Sequence, residues 1–284
     1  VLEDANCSRC GKPTRQVGMT PPGDARPAFQ HDIDFVREHV DLQFGEGAGK
    51  ALLPDGSVYL FNKVPALDRM DEVIADGEVD VTMRYDLGIG WRALPRVKAA
   101  ARIVRAASKN LIWADRGAVE PILGNQSLMA PGVNRVVGDF QKGEEVIVLD
   151  PEGNALATGV ARMSSEEMRK AERGAAVKVR WAERTLPPTD RPQADWNMVM
   201  EANAGVMGRR VRESVEFVKR LSEEHADIPQ VVSFSGGKDS LATLLLTRDA
   251  GLNLPVFFVD TGLEFPETVS YVHRLKDQLD LDLV

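Results

Sequence analysis

The chain has 284 residues, 43% hydrophobic and 27% charged, a composition typical of globular protein with enough length for two or three domains. Its formal net charge of −8 excludes a molecule covered in basic surface, so any contact with nucleic acid must be local. No apolar run approaches the roughly 18 residues that span a bilayer, and no amino-terminal segment has the pattern of a secretion signal, so we expect a cytoplasmic protein without membrane contact. The chain begins with Val1 instead of methionine and ends within a strand–helix series, which predicts a fragment truncated at both ends.

Two cysteines near the amino terminus have the spacing of one edge of a metal site. Cys7 and Cys10 flank a tight turn of the kind that directs backbone amides at two thiolates bound to one Zn²⁺ ion. Tetrahedral zinc needs four ligands, so the pair predicts half of a zinc ribbon, the other half lying upstream. A chance pair or a redox pair is the alternative, although the prolines that follow disfavour the helix that a redox motif opens. His31 and His39 are not assigned as ligands.

Residues 1–30 are predicted to contain the zinc-ribbon half and a linker. The linker covers residues 20–29, which are too rich in proline and glycine for regular structure. A small mixed α/β module is predicted over residues 31–107. Its predicted elements are a helix at residues 32–40 and strands at residues 57–61 and 79–85. The acidic residues of this module, Asp68, Asp71 and Glu72, are interpreted as a solvated helix face, with a metal site as the less favoured alternative.

Residues 96–109 predict a helix with a basic stripe. Four cations fall at i, i+4, i+7 and i+11 and therefore on one helix face. They are Lys98, Arg102, Arg105 and Lys109. The stripe fits a contact with an RNA phosphate backbone and fits an ordinary solvated face equally well, and the sequence leaves both open.

A β-rich pattern over residues 108–184 follows, with short apolar strands separated by glycine-containing turns. The strands are predicted at residues 146–149, 155–160 and 176–181. Three segments, GAVEPILGNQSLMAPGV (117–133), GDFQKGEEVIVLDPEGNALATGVARMSSEEM (138–168) and GAAVKVRW (174–181), resemble a PUA domain, a compact β-barrel-like RNA-binding fold. The resemblance implies that RNA, and tRNA above all, faces the loop after a short helix. The residues in that loop are Asn125, Gln126, Met129 and Gly132. A barrel without an RNA ligand is the alternative.

The proline-rich residues 185–198 predict a second linker, and the pattern beyond them turns helical. A helix is predicted at residues 206–226. A short apolar strand at residues 230–234 then leads into a helix that starts near Asp239.

The run SFSGGKDS, residues 233–240, lies at this strand-to-helix turn, where phosphates bind. Gly236 and Gly237 let the backbone approach a ligand closely, the helix start offers free amides, and Lys238 adds a cation. The spacing excludes a Walker loop, because Val232 and Asp239 stand where that motif needs a glycine and a hydroxyl.

The run instead matches the PP-loop signature SGGxDS, and the chain resembles the adenine-nucleotide α-hydrolase superfamily. Its residues are Ser235, Gly236, Gly237, Lys238, Asp239 and Ser240. One strand later, DTGLEFPET (260–268) is similar to a motif of the phosphoadenosine phosphosulfate (PAPS) reductase branch. The resemblance implies that the loop grips ATP, PAPS or adenosine phosphosulfate (APS) with Mg²⁺. It also implies that Asp260, Thr261 and Gly262 lie beside the adenosine.

The combination of half a zinc ribbon, a PUA domain and a PAPS reductase-like domain resembles a multidomain family of archaea. The expected fold class is therefore multidomain α/β, with the start of a doubly wound sheet over residues 199–284. Glu264 and Glu267 are interpreted as solvated carboxylates, with substrate or Mg²⁺ orientation as the alternative.

Two enzymatic hypotheses follow. The favoured one is an RNA-modifying ATP pyrophosphatase that adenylates a base and then transfers sulfur or nitrogen, because a small sulfonucleotide has no use for an RNA-binding barrel. The alternative is a sulfonucleotide reductase with a catalytic cysteine and an iron–sulfur cluster in a missing carboxyl-terminal part. A non-catalytic RNA-binding adaptor is a third possibility, and the residues present identify no catalytic side chain.

Overall fold

The computed structural model of the chain describes residues 5–14, 17–188 and 190–284. These residues form two compact units. The central unit comprises the described residues from 17 to 199, and the terminal unit combines residues 5–14 with residues 200–284. Within the described ranges, no helix is long and apolar enough to cross a membrane.

The central unit begins with a five-stranded antiparallel sheet in which each strand pairs with the next along the chain. Its strands are β1 (Asp24–Pro27), β2 (Leu60–Lys63), β3 (Met70–Ala75), β4 (Glu78–Asp86) and β5 (Gly90–Pro95). The same part of the chain forms helices α1 (Gln30–Phe44), α2 (Ala48–Leu52) and α3 (Val97–Ile103). Helix α1 is held by Val36, Val40 and Phe44, which recur at helical spacing and are fully buried.

Two sequence predictions for this sheet are wrong. Residues 20–29 are not a linker throughout, because β1 pairs with β2 over its whole length. Pro27 ends β1, which is an edge strand, and proline is tolerated there because an edge position need not donate to the ladder. The second error concerns Asp71 and Glu72, which lie on β3 and not on a helix, and both are buried.

Glu72 is buried because its charge is compensated. Its carboxylate accepts hydrogen bonds from the N–H of Thr20 at 3.0 Å, the hydroxyl of Thr20 at 2.7 Å and the amide of Asn62 at 2.9 Å. Arg96 adds an ion pair at 3.5 Å. Burial alone raises the pKa of Glu72, but these hydrogen bonds and the Arg96 charge outweigh burial and hold the pKa below its usual value.

The second sheet of the central unit has the strand order β7-β11-β10-β9-β6-β8 and is antiparallel except where β6 runs parallel to β9. Its strands are β6 (Leu111–Ala114), β7 (Leu128–Met129), β8 (Val133–Val137), β9 (Glu145–Leu149), β10 (Ala155–Ala161) and β11 (Ala175–Ala182). Two short helices, α4 (Val119–Leu123) and α5 (Ser165–Met168), interrupt the strands. Gly159 lies at a register shift in β10, where a Cβ would stand 2.2 Å from the carbonyl oxygen of Lys178. The β-barrel-like fold predicted from the sequence is confirmed.

The two sheets of the central unit share a hydrophobic core. One cluster joins residues of the first sheet and its helices to Leu111, Ile147 and Leu149 of the second. A buried hydrogen bond from the Thr158 hydroxyl to the carbonyl of Pro95, at 2.9 Å, crosses the same boundary. The boundary predicted at residue 107 therefore falls inside one packed body.

The terminal unit has a small parallel sheet covered by helices. Helix α6 (Trp196–Ala202) begins in the last residues of the central unit and ends in the terminal unit. The elements that follow are α7 (Ala204–Glu224), β12 (Val232–Ser233), α8 (Lys238–Asp249), β13 (Val256–Phe257) and α9 (Pro266–Leu279). Strand β13 lies between β12 and residues 282–284, which pair with it in parallel. Val232, Phe234, Leu244, Val256 and Val272 form the core. Helices that connect successive parallel strands are the arrangement expected for a doubly wound α/β domain.

Candidate nucleotide and RNA sites

The PP-loop lies where β12 ends and α8 begins. Gly237 occupies the N-cap position of α8. Because glycine has no side chain to accept a hydrogen bond, the N-cap residue does not cap the first backbone amides of the helix. Gly236 has φ +78°, and a Cβ there would stand 2.9 Å from Cγ2 of Thr268. Both backbone conformation and space therefore require glycine at residue 236.

Ser240 closes this loop on itself. Its hydroxyl accepts a hydrogen bond from the N–H of Ser235 at 3.2 Å, donates to the carbonyl of Gly237 at 3.0 Å and lies 3.2 Å from the Ser235 hydroxyl. Lys238 is 79% exposed and its ammonium lies 3.2 Å from the Asp239 carboxylate, which is 93% exposed. Such an exposed pair contributes little stability, so Lys238 remains available to an anionic ligand.

The second motif lies at the end of the neighbouring strand β13. The Asp260 carboxylate accepts a hydrogen bond from the N–H of Gly262 at 2.8 Å, and the Thr261 hydroxyl accepts one from the N–H of Leu263 at 3.4 Å. Because β12 and β13 run parallel in register, the PP-loop and this turn meet at one edge of the sheet. The structure thus brings together the nucleotide-binding residues predicted at 235–240 and 260–262.

The PP-loop edge fits a phosphate better than a bare metal ion. It offers backbone amides, two hydroxyls and one ammonium. Across residues 5–14, 17–188 and 190–284, no group of three or more His, Cys, Asp or Glu side chains forms a metal cluster. A Mg²⁺ ion at this edge would therefore take ligands from nucleotide phosphates and water, as Mg²⁺ commonly does. Glu264 and Glu267 are exposed.

The two cysteines flank a tight turn at residues 7–12, called the knuckle below, which backbone hydrogen bonds close. The N–H of Cys7 donates to the carbonyl of Lys12 at 2.9 Å, and the N–H of Gly11 donates to the carbonyl of Cys7 at 2.8 Å. Hydrogen bonds from the backbone amides of Cys10 and then Arg9 lower the pKa of the Cys7 thiol. These thiols fit two of the four ligands of a zinc ion, and the described residues supply no cluster that completes the set.

This knuckle is bound to the junction of α6 and α7. The N–H of Ser8 donates to the carbonyl of Ala202 at 3.1 Å, and its hydroxyl accepts from the N–H of Gly205 at 3.1 Å. Arg9 pairs with Glu201 at 2.8 Å. Ser8 therefore caps α7 from a distant part of the sequence, a role that local sequence pattern does not reveal.

The predicted RNA-binding loop follows α4. Asn125 adopts φ +59°, and both Asn125 and Gln126 are exposed, as is Met129 on β7. Gly132 has a different role, because a Cβ there would stand 3.0 Å from the Cβ of Ala118. Three of the four predicted residues thus lie on the exposed face, and Gly132 permits close packing behind it.

Sequence reasoning missed a cation beside this loop. The N–H of Ala130 donates to the carbonyl of Gly174 at 2.8 Å, which places Arg173 next to the loop. Arg173 is exposed and has no ion-pair partner in the described part of the chain. The sequence did contain a signal for this cation. Arg173 lies in the turn before the predicted strand at residues 176–181, and such a turn must lie near the strands that pair with that strand.

The basic stripe differs from its prediction. Helix α3 ends at Ile103, so the predicted helix at residues 96–109 is too long, and Lys109 is not on it. The other three cations have carboxylate partners: Lys98 pairs with Glu78 at 3.0 Å, Arg102 with Asp80 at 3.4 Å and Arg105 with Asp190 at 2.9 Å. These partners are far away in sequence, so the helical pattern alone did not indicate them.

Two protein-family models match the chain. The PUA domain family matches residues 110–181, and the phosphoadenosine phosphosulfate reductase domain family matches residues 229–284.

Curated relatives align over different parts of the chain. It is 33% identical over a 288-residue alignment to the uncharacterized protein MJ0066 of Methanocaldococcus jannaschii, covering 98% of this chain and 59% of the relative. It is 33% identical over 154 residues to glutamate 5-kinase of Thermosynechococcus vestitus, covering 49% of this chain and 42% of the enzyme. It is 37% identical over 82 residues to tRNA (cytosine(72)-C(5))-methyltransferase of Pyrococcus horikoshii, covering 29% of this chain and 20% of the enzyme.

The chain thus spans 59% and 42% of the lengths of the first two relatives. Each family match falls on the part of the fold that carries the corresponding motif. The chain therefore combines a PUA domain, at residues 110–181, with a phosphoadenosine phosphosulfate reductase (PP-loop) domain matched at residues 229–284.

Proposed function

We propose that the chain is part of a cytoplasmic RNA-modifying enzyme that activates a nucleobase with ATP. The observation that carries the proposal is the presence of a PP-loop domain and a PUA domain in one chain. A PUA domain supports binding of a folded RNA, and the PP-loop supports binding of the nucleotide that drives the chemistry.

The reaction proposed has two steps. A carbonyl oxygen of the base attacks the α-phosphorus of ATP, the bond from that phosphorus to the bridging oxygen breaks, and pyrophosphate leaves. A sulfur or nitrogen nucleophile then attacks the base carbon, and AMP leaves with the former carbonyl oxygen. Bound Mg²⁺ would neutralise charge on the pyrophosphate.

The residues of the PP-loop edge have separate roles in this proposal. The amides at the start of α8 and the cation of Lys238 hold the leaving pyrophosphate, where negative charge develops. Asp260 and its turn lie beside the adenosine. Gly236 keeps the backbone close enough for its amides to reach the phosphates.

The RNA surface proposed centres on the loop after α4. Asn125, Gln126 and Met129 are exposed there, and Arg173 adds a cation for a phosphate. The proposed surface also includes Lys98, Arg102 and Arg105. These three cations contribute less to RNA affinity, because RNA phosphates would have to displace their carboxylate partners. The similarity to a tRNA methyltransferase supports tRNA as the RNA, and Cys7 and Cys10 are proposed as two zinc ligands.

A sulfonucleotide reductase is the second candidate, favoured by the family match of residues 229–284. That chemistry needs a cysteine nucleophile. The chain has two cysteines, and both lie in the knuckle, which is bound to the α6–α7 junction.

One experiment separates the candidates. The complete natural protein is incubated with ATP and tRNA, and AMP and pyrophosphate are measured; in parallel, sulfite release is measured from PAPS with a thiol reductant. RNA-dependent AMP release supports the proposal, and sulfite without AMP supports the reductase. RNA binding with neither product supports a non-catalytic adaptor.

A further inference from the structure

The central unit contains a cavity whose charged lining is mostly cationic. Its volume is about 360 Å³, within the range of small-molecule sites, which is roughly 300–1,000 Å³. All of its lining residues belong to the central unit. Its charged lining residues are Lys50, Asp55, Arg102, Arg105, Asp190 and Arg191. Four cations thus face two carboxylates, in a chain whose formal net charge is −8. This cavity, called the basic cavity below, favours an anion.

The two carboxylates of the basic cavity are weakly held. Asp55 pairs with Lys50, Asp190 pairs with Arg105 at 2.9 Å, and both carboxylates are largely exposed. Water screens such exposed ion pairs, and they contribute little stability. An entering anion can therefore replace the Asp190 carboxylate at Arg105 at small cost.

Two arginines form the buried side of the basic cavity. Arg191 is almost fully buried and donates hydrogen bonds to the carboxylates of Asp76 and Asp80, and Arg102 pairs with Asp80 at 3.4 Å. A guanidinium has five N–H donors. The Nε atoms of Arg102 and Arg191 are buried, and neither has an acceptor among the described residues. Buried donors without an acceptor are rare in proteins and are typical of sites that bind water or an ion.

The charge of Arg102 is also incompletely compensated. Burial lowers the pKa of Arg102, and the positive charge of Arg191 lowers it further, although the carboxylate of Asp80 opposes both effects. An anion beside Arg102 would stabilise the charged form of its guanidinium. The orphaned donors and the charge balance therefore favour the same kind of ligand.

Phosphate is the anion that this arrangement fits best. The planar fork of an arginine matches the spacing of phosphate oxygens, and a lysine adds a point charge. A water molecule occupies roughly 30 Å³, so four phosphate oxygens would fill only about a third of the basic cavity. Its wall also includes Ala51 and Pro54, whose apolar side chains can pack against a sugar.

We propose that the basic cavity binds a phosphate group carried on a ribose, with Lys50, Arg102 and Arg105 as its donors. A free nucleotide and an RNA chain both supply this group. For an RNA ligand the inference rests on the proposed function, and for a free nucleotide it is independent of that function.

Nuclear magnetic resonance of the isotope-labelled chain tests this site separately from the others. The backbone amide of Ala51 reports on the basic cavity, that of Ser240 on the PP-loop and that of Asn125 on the proposed RNA surface. The probes are AMP, adenosine and a short oligoribonucleotide without terminal phosphates. Adenosine is the control for AMP, because it lacks only the phosphate.

The Ala51 amide should shift with AMP and not with adenosine if the source is a free nucleotide. A shift with the oligoribonucleotide alone would identify RNA as the source. Shifts confined to Ser240 or Asn125 would overturn the inference and leave the proposed function standing. Equal shifts of Ala51 with AMP and adenosine would also overturn it.

The variant Arg105→Gln should weaken binding at the Ala51 reporter about tenfold, because it removes a charged donor to the phosphate. Arg169→Gln is the matched control. Like Arg105, Arg169 is about half exposed, pairs with an exposed aspartate and donates to a backbone carbonyl, but it does not line the basic cavity. Binding by this control should equal binding by the natural chain.

The variant Asp190→Asn should have the opposite effect. It removes the carboxylate that competes for Arg105, so the affinity should rise about threefold. A loss of folding cannot produce this gain. The inference would be overturned by equal affinities of Arg105→Gln and Arg169→Gln, or by weaker binding in Asp190→Asn.

Discussion

Replacement of Gly236 by alanine tests two features of the PP-loop. The first is its left-handed backbone conformation, and the second is its close approach to Thr268. The residue has φ +78°, and the left-handed conformation costs a non-glycine residue roughly 1–2 kcal/mol. Loss of freedom in the unfolded chain offsets about 0.4–1 kcal/mol of that cost. The new Cβ would also stand 2.9 Å from Cγ2 of Thr268, and such overpacking typically costs about 1–3 kcal/mol.

The chain contains a matched control for the first feature. Gly251 has the same φ of +78°, and a Cβ there meets nothing within 4 Å. Gly251→Ala should therefore destabilise the terminal unit by about 1 kcal/mol, and Gly236→Ala by about 2–4 kcal/mol. Adding Thr268→Ser to Gly236→Ala removes the clashing methyl group and should recover most of the difference.

Native-state hydrogen exchange of core amides in α8 and β13 measures the opening free energy of the terminal unit separately from the central unit. Nucleotide affinity is measured by calorimetry on the same proteins. The described loop geometry would be refuted if Gly236→Ala were as stable as Gly251→Ala. It would also be refuted if the added Thr268→Ser substitution failed to restore stability to Gly236→Ala.

Three further predictions follow from other parts of the chain. Since burial raises the pKa of Asp80 to about 6, this carboxyl stabilises the central unit most below about pH 4, and that stabilisation is lost as the pH rises through 6. The unfolding free energy of Asp80→Asn relative to that of the natural chain should therefore rise by about 2 kcal/mol from pH 4 to pH 7 in urea denaturation, and a flat difference would contradict the raised pKa of Asp80. Ser8→Ala should weaken the start of α7 by about 1 kcal/mol, seen as faster exchange of its first amides, whereas unchanged exchange would show that the knuckle does not cap the helix. Replacing Asn125 and Gln126 together by alanine should lower tRNA affinity about tenfold in filter binding and leave ATP affinity unchanged; equal loss of both would place these residues outside the RNA surface.

The sequence alone predicts the parts of this fold whose signals are local. Strands β9, β10 and β11 have apolar runs bounded by glycine, and the PP-loop is six consecutive residues at a strand-to-helix turn. The meeting of residues 235–240 and 260–262 at one sheet edge also follows, because parallel strands end on the same side.

What the sequence could not predict depends on partners far along the chain. Glu72 is acidic and looks solvent-exposed in isolation, and only Thr20 and Asn62 make its burial on β3 stable. Arg191 lies in a proline-rich run, yet its partner Asp80 is 111 residues away. Sequence periodicities of 3.6 or 2 residues carry no information about such distant pairs. The Arg191–Asp80 pair and the carboxylate partners of the basic stripe are therefore visible only in the structure.

The central proposal is that this chain couples ATP activation to a bound RNA. It is tested most directly by incubating the complete natural protein with ATP labelled at the α-phosphate, with and without total tRNA, and measuring released AMP. AMP is expected only when tRNA is present, and none is expected from a Gly236→Asp variant, whose side chain would crowd Thr268 and whose charge would repel a phosphate at the loop. Absence of AMP release with any RNA, together with sulfite formation from PAPS, would contradict it.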